Sequence, residues 1–172
     1  MKYSKSQINR MEEMLDAKEK RAYIQKKIIE KYKMPLISFM LNIPGEDKNS
    51  KEAVEFHKKY IEVIKNTLYE NNIQIIFEEY FNKKTGMEFY AVVKTDATEL
   101  KKLMVKIEEN TKAGRLLDID IFNESGIQIS RSDLNLPERK CIICDKDAKI
   151  CMRESNHNLI ELKNRVIYLM RC

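Results

Sequence analysis

The chain has 172 residues, of which 43% are apolar and 34% charged, with a net charge of +5. That length holds one domain with a real core and is too short for two large ones, and the apolar fraction is that of a globular protein. The mild positive excess suits an anionic ligand or an acidic partner and does not demand nucleic acid. The N-terminal stretch is polar and charged, without an apolar signal region, and no apolar run reaches membrane-spanning length. A cytoplasmic protein with no membrane partner is therefore expected, its four cysteines serving as reduced thiols or metal ligands.

Residues 6–32 predict a long amphipathic helix, with Ile8, Met11, Leu15, Ala22, Ile29 and Tyr32 at helical spacing. Its many lysines read as a solvated face. Leu36 to Ile43 is a short apolar run, a buried strand broken by Pro44-Gly45, and Glu46 to Asn49 is a polar loop. Ser50 caps a second helix whose stripe is Ala53, His57, Tyr60, Ile61, Ile64 and Leu68. Asn71-Asn72 ends it. Ile73, Ile75 and Phe77 alternate along a strand, Asn82 to Gly86 turns, and Met87, Phe89, Ala91 and Val93 mark the return strand. Asp96 and Glu99 have capping-box spacing before a third helix with core positions Ala97, Leu100, Leu103, Met104 and Ile107. Leu116 to Phe122 is a strand, Asn123 to Gly126 a turn, and Ile127 to Ile129 a short return strand. A last helix starts at Ser155 or Asn156, with Leu159, Leu162, Val166 and Met170 inward.

Without its ends, the order is strand, helix, strand, strand, helix, strand. This predicts an α+β fold, a ferredoxin-like split βαβ sandwich, with an added long N-terminal helix and a Cys-containing C-terminal helical extension. A single domain over 1–172 is expected: helix 1–33, core 35–130 and Cys-containing tail 131–172.

Two clusters carry chemistry. In Gly114-Arg115-Leu116-Leu117-Asp118-Ile119-Asp120 the two aspartates are two apart, so a strand sends both side chains to one face. Carboxylates so placed repel unless a cation or a shared proton lies between them, and Mg²⁺ held there would sit beside an anionic substrate. By spacing alone the same residues also describe two solvated aspartates on a half-exposed strand. Gly114 allows a close approach or a positive φ, and Arg115 offers a donor fork suited to phosphate. The second cluster is Arg139, Cys141, Cys144, Cys151, Arg153 and His157. Cys141, Cys144, Cys151 and His157 have the donor types of a tetrahedral Zn²⁺ site; a redox CxxC and simply packed thiols are the other two readings. His57 lies on an apolar stripe as a core histidine. No P-loop or GxGxxG is present. The aromatics sit mostly on core stripes, so no nucleic-acid partner is expected.

Gly114-Arg115-Leu116-x-Asp118-x-Asp120, Ser130-Arg131-x-Asp133-Leu134, Arg139-x-Cys141-x-x-Cys144, Cys151-x-Arg153 and His157 together resemble the apo-citrate lyase phosphoribosyl-dephospho-CoA transferase family, the citrate lyase holo-[acyl-carrier protein] synthases. Arg21, Gln25, Ser38, Asn42-Ile43-Pro44-Gly45, Lys48 and Ser50 add to the resemblance, which runs from about residue 10 to 160. Lys18 and Glu46 depart from the pattern. The resemblance implies a nucleotidyltransferase that moves a prosthetic group from 2′-(5″-triphosphoribosyl)-3′-dephospho-CoA to a serine of the citrate lyase acyl carrier subunit, releasing pyrophosphate. The resemblance gives the positions, and side-chain chemistry then makes Asp118, Asp120 and Arg115 the expected catalytic residues, with Mg²⁺ on the aspartates. Arg21, Gln25, Asn42, Gly45, Lys48, Gly114, Arg139, Arg153 and His157 would bind substrate. The competing expectations are a zinc-stabilised binding module without activity, and a nucleotidyltransferase that uses a simpler nucleoside triphosphate.

Overall fold

A computed structural model describes residues 5–45 and 48–172. Glu46, from the expected polar loop, lies outside the described residues, as do the side chains of Ile8 and Met11. The elements run α1 (Lys5–Tyr32), β1 (Leu36–Leu41), α2 (Lys51–Glu70), β2 (Gln74–Lys83), β3 (Gly86–Lys94), α3 (Ala97–Asn110), β4 (Leu117–Phe122), β5 (Gln128–Ile129), α4 (Ala148–Arg153) and α5 (Leu159–Met170). One five-stranded sheet has the order β2-β3-β1-β4-β5 with every neighbouring pair antiparallel, so the fold is α+β.

The two sheet faces have different covers. Ile37, Phe39, Phe89, Ala91, Ile119 and Ile121 point to α2, α3 and α5 and form the main core. Leu36, Tyr90, Val92 and Phe122 point the other way, against Ile24, Ile28, Ile29 and Tyr32 of α1. Among the described side chains of α1, those that pack there belong to its C-terminal half. Leu15, expected inward, is 60% exposed, and Ala22 is exposed too. A helix of 28 residues is roughly 40 Å long, more than the strands beneath it can cover.

Ser50 caps α2 as expected, its Oγ accepting from Ala53 N; at Asp96 only half of the expected capping box forms, Oδ1 accepting from Thr98 N and Glu99 N. Glu99 pairs with Lys102. Three local expectations are corrected. The alternation Ile73, Ile75, Phe77 breaks at a register shift between Ile75 and Phe77, so Phe77 crosses to the α1 face and stacks on Tyr32 with centroids 5.0 Å apart. The tail contains an unforeseen short helix, α4, capped by Asp147. The last helix starts later than expected because Ser155 has φ 52° and Asn158 makes a capping box with Glu161. Leu159 is thereby left 48% exposed, and Leu169 fills the core instead.

Gly114 precedes β4 in a 3₁₀ turn, Lys112–Leu116, rather than at the start of the strand. Its φ is not positive; the requirement is for close approach. A Cβ there would lie 2.3 Å from the Glu108 carbonyl oxygen. Gly114→Ala is expected to destabilise the fold by about 1–3 kcal/mol, because the obstruction is backbone and cannot rotate away. A chemical-denaturation midpoint equal to that of the parent chain would refute this.

Candidate functional site

The β1–β4 register sets Ser38 opposite Asp120 and Met40 opposite Asp118, so both aspartates leave the sheet on the face that carries Leu36 and Tyr90. Beyond the end of α1's apolar contacts this face turns polar. Gln25 donates to Ser38 Oγ at 2.9 Å, and Arg21 Nη1 lies 2.8 Å from Met40 Sδ. On the β3 side, Glu88 is buried and gathers Lys83 at 2.6 Å, the Tyr90 hydroxyl at 2.9 Å and Arg21 at 3.8 Å. Burial and the adjacent carboxylate push the Tyr90 hydroxyl well above its ordinary pKa, so it stays protonated and donates. Lys48 joins this edge; burial first, then Arg21, lowers its pKa.

On β4, Asp120 Oδ1 accepts from Gln128 Nε2 at 2.7 Å. Its pKa is pushed up to about 6, by burial first and by the Asp118 charge second. Asp118 is half-exposed and lies 3.4 Å from Arg139 Nη1.

β5 pairs only with Ile121 and Phe122, so among the described residues the outer edge of β4 from Leu117 to Ile119 lacks a strand partner. Side chains take its place. Arg139 donates to the Leu117 carbonyl, Lys101 donates to the Ile119 carbonyl at 2.7 Å, and Ile119 N donates to Glu108 at 3.4 Å. Glu108 also holds Arg131 at 2.9 Å and Arg139 at 3.5 Å. Burial and the neighbouring Arg139 and Arg131 charges lower the Arg115 pKa, so cations crowd here around one buried carboxylate. Such a crowd suits a polyanion.

Beside this edge lies a cavity of about 550 Å³ lined by Asn42, Arg115, Arg139, Cys141, Cys151 and His157, among others. Arg139 belongs to both settings: it walls the cavity and touches Asp118. It joins the two clusters that are separate in the sequence. Cys141, Cys144, Cys151 and His157 bring one donor atom each within 4.8 Å of all the others, so the set could hold a metal ion. All three thiols are free.

The remaining expected residues divide. Arg21, Gln25 and Lys48 reach the sheet face, while Asn42 and Arg115 reach the cavity. Gly45 instead meets α5, where a Cβ would lie 2.7 Å from Lys163 Cε. Arg153 is exposed at the end of α4 and does not line the cavity. His157 sits before α5, not inside its first turn, because Asn158 is the cap. His57 is a core residue, as expected: it stacks on Phe39 at 4.3 Å, and burial pushes its pKa down to about 4. Glu88, Lys101 and Glu108 went unread. Alternation with Met87 and Phe89 does place Glu88 on the Asp118 face, but nothing local says that this end of the face is buried.

The family model described as apo-citrate lyase phosphoribosyl-dephospho-CoA transferase matches residues 9–172. A Haemophilus influenzae relative, Protein CitXG, is 33% identical over 91% of this chain, and the chain spans only 34% of that protein's length. A Vibrio cholerae relative, named a probable apo-citrate lyase phosphoribosyl-dephospho-CoA transferase, is 31% identical over 91% of this chain and 88% of its own. A Streptococcus pyogenes relative with the same printed name is 31% identical over 98% of this chain and 88% of its own.

Proposed function

We propose a function from one premise: the chain belongs to the apo-citrate lyase phosphoribosyl-dephospho-CoA transferase family. It is a transferase. Its donor is 2′-(5″-triphosphoribosyl)-3′-dephospho-CoA and its acceptor a serine hydroxyl on the citrate lyase acyl carrier subunit. The serine oxygen bonds to the α-phosphorus, the bond from that phosphorus to the oxygen bridging to the β-phosphate breaks, and pyrophosphate leaves with the bonding pair. The products are a phosphodiester-linked prosthetic group and a proton.

The observation that carries this reading is the pair Asp118 and Asp120 on one sheet face, flanked by Arg21 and Lys48 toward β3 and by Arg139 at the open edge of β4. Phosphoryl transfer asks the protein mainly for positioning and for charge opposite the leaving oxygens. Arg21, Lys48 and Arg115 would grip the triphosphate, and Arg139 would follow charge onto the departing pyrophosphate. Asn42 and His157 would shape the cavity for the rest of the donor. Asp120, held near neutral pKa, is suited to take the serine proton. The paired carboxylates have the right chemistry for Mg²⁺, since a cation between them offsets both the burial and the Asp118 repulsion that raise Asp120. When bound, Mg²⁺ would neutralise phosphate charge. Zn²⁺ on the Cys–His set would be structural. The sheet and helix order supports a ferredoxin-like scaffold, within one transferase domain over 1–172.

Incubating the chain with the purified acyl carrier subunit and the triphosphoribosyl donor should add the prosthetic-group mass to the carrier. No mass gain with that donor, or gain from ATP instead, would overturn the assignment. Arg139→Ala should lower kcat/KM by about 100-fold, roughly 3 kcal/mol of transition-state stabilisation. A change under threefold would remove Arg139 from the site.

A further inference from the structure

We infer that Cys141, Cys144, Cys151 and His157 form a Cys₃His zinc centre whose task is to hold Arg139 and its wall of the cavity against the open edge of β4. The donor set is complete and mononuclear. Tetrahedral zinc with Zn–S near 2.3 Å and Zn–N near 2.0 Å places sulfurs about 3.8 Å apart and N···S at about 3.5 Å. Here Cys144 and Cys151 Sγ are 3.9 Å apart, Cys151 and Cys141 Sγ 3.4 Å, and His157 Nε2 and Cys144 Sγ 3.3 Å. Ile143 N points at Cys141 Sγ at 3.4 Å, the N–H···S contact that stabilises a metal-bound thiolate in a CxxC turn.

The ligands come from three separate pieces of chain. Cys141 and Cys144 lie in a small hairpin closed by the Lys140–Asp147 bridge and by Cys141 N to Lys146 O at 2.8 Å. Cys151 is in α4, and His157 precedes α5. Among residues 138–158 only Cys151 is buried, so this arm has almost no apolar core of its own. A metal ion supplies the cohesion that such a short segment cannot obtain from burial. Arg139 is two residues before the first ligand, and its carbonyl accepts from Ala148 N at 2.8 Å, at the start of α4. Its backbone is therefore fastened into the metal-bearing hairpin while its guanidinium reaches Leu117, Glu108 and Asp118. Arg139 acts at the site; the zinc ligands are positioning residues.

The role of Arg139 at the transfer site rests on the transferase reading, but the metal centre does not. The full chain, purified under reducing conditions, should carry one zinc per chain by elemental analysis. Cobalt added to chelator-stripped protein should give the visible bands of tetrahedral thiolate cobalt. Cys144→Ser should lose the zinc. Stripping the zinc should speed hydrogen exchange at the Cys141, Ala148, Cys151 and Asn156 amides at least tenfold and leave β1 and β3 protected. Absence of both zinc and the cobalt bands in the reduced wild-type chain overturns the centre, whatever the variant does. Zinc present with unchanged exchange in the arm on its removal overturns the positioning role. Zinc present without carrier modification would sink only the transferase reading, and carrier modification without zinc would sink only this one.

Discussion

Asp120→Asn is expected to make the protein more stable at neutral pH while lowering prosthetic-group transfer by at least about 100-fold. The Asp120 carboxyl is raised from 3.8 to about 6 by burial and then by Asp118. Between those two values the folded chain keeps a proton that the unfolded chain has released, so stability falls as pH rises through this window. Above about pH 6 the whole penalty is in force; below the unfolded value it vanishes. Two units correspond to at most about 3 kcal/mol, and solvent screening brings this to roughly 1–2 kcal/mol. Asparagine keeps the shape and can still accept the hydrogen bond from Gln128. Thermal melts of the variant at pH 7 should therefore exceed those of the parent, and the difference should shrink toward pH 4. The activity side has the opposite sign: transfer should rise with pH as the Asp120 carboxylate forms, with a midpoint that moves below about 6 as Mg²⁺ is raised, and this rise should disappear in the variant. A variant within threefold of the parent rate would sink the proposed role of Asp120, and a lower melting point at pH 7 would sink the desolvation argument.

Glu108→Ala is expected to destabilise the fold by about 3 kcal/mol, because it removes the anion from a buried cluster and leaves the cations behind. Glu108 is 4% exposed and serves Arg131, Arg139 and the Ile119 amide together. Its loss strands that amide and removes the buried anion that two guanidinium groups share, leaving Arg131 with the more exposed Glu109 and Arg139 with Asp118 and the Leu117 carbonyl. Glu108→Gln retains an acceptor for the amide and should recover part of the loss. Denaturant midpoints for the two variants check both the size and the order. A loss below about 1 kcal/mol in Glu108→Ala would show that the arginines find other partners.

The element order from α1 to β5, the caps at Ser50 and Asp96, and the common face of Asp118 and Asp120 were legible because each depends on neighbours a few residues away. Helical stripes, cap donors and the two-residue period of a strand are local properties. The joining of the two chemical clusters was not legible. Arg139 lies 21 residues from Asp118, and their contact follows from the short β5, which leaves backbone groups on β4 that a distant side chain can satisfy. The buried Glu88 and Glu108 escaped for the same reason: a glutamate reads as surface until partners arrive from other elements.

By itself, the sequence determined that this is an α+β chain with paired carboxylates on a strand and a Cys–His donor set at ligand spacing, since period, composition and spacing are written along the backbone. Only the tertiary structure decided that Phe77 crosses the sheet, that Leu15 and Ala22 of α1 are left exposed, that Arg153 and Gly45 stay outside the cavity, and that one arginine spans both clusters. Each of these turns on a register shift, an unpaired edge or a contact between remote segments, and such features are set by which groups must find partners once the chain has closed on itself.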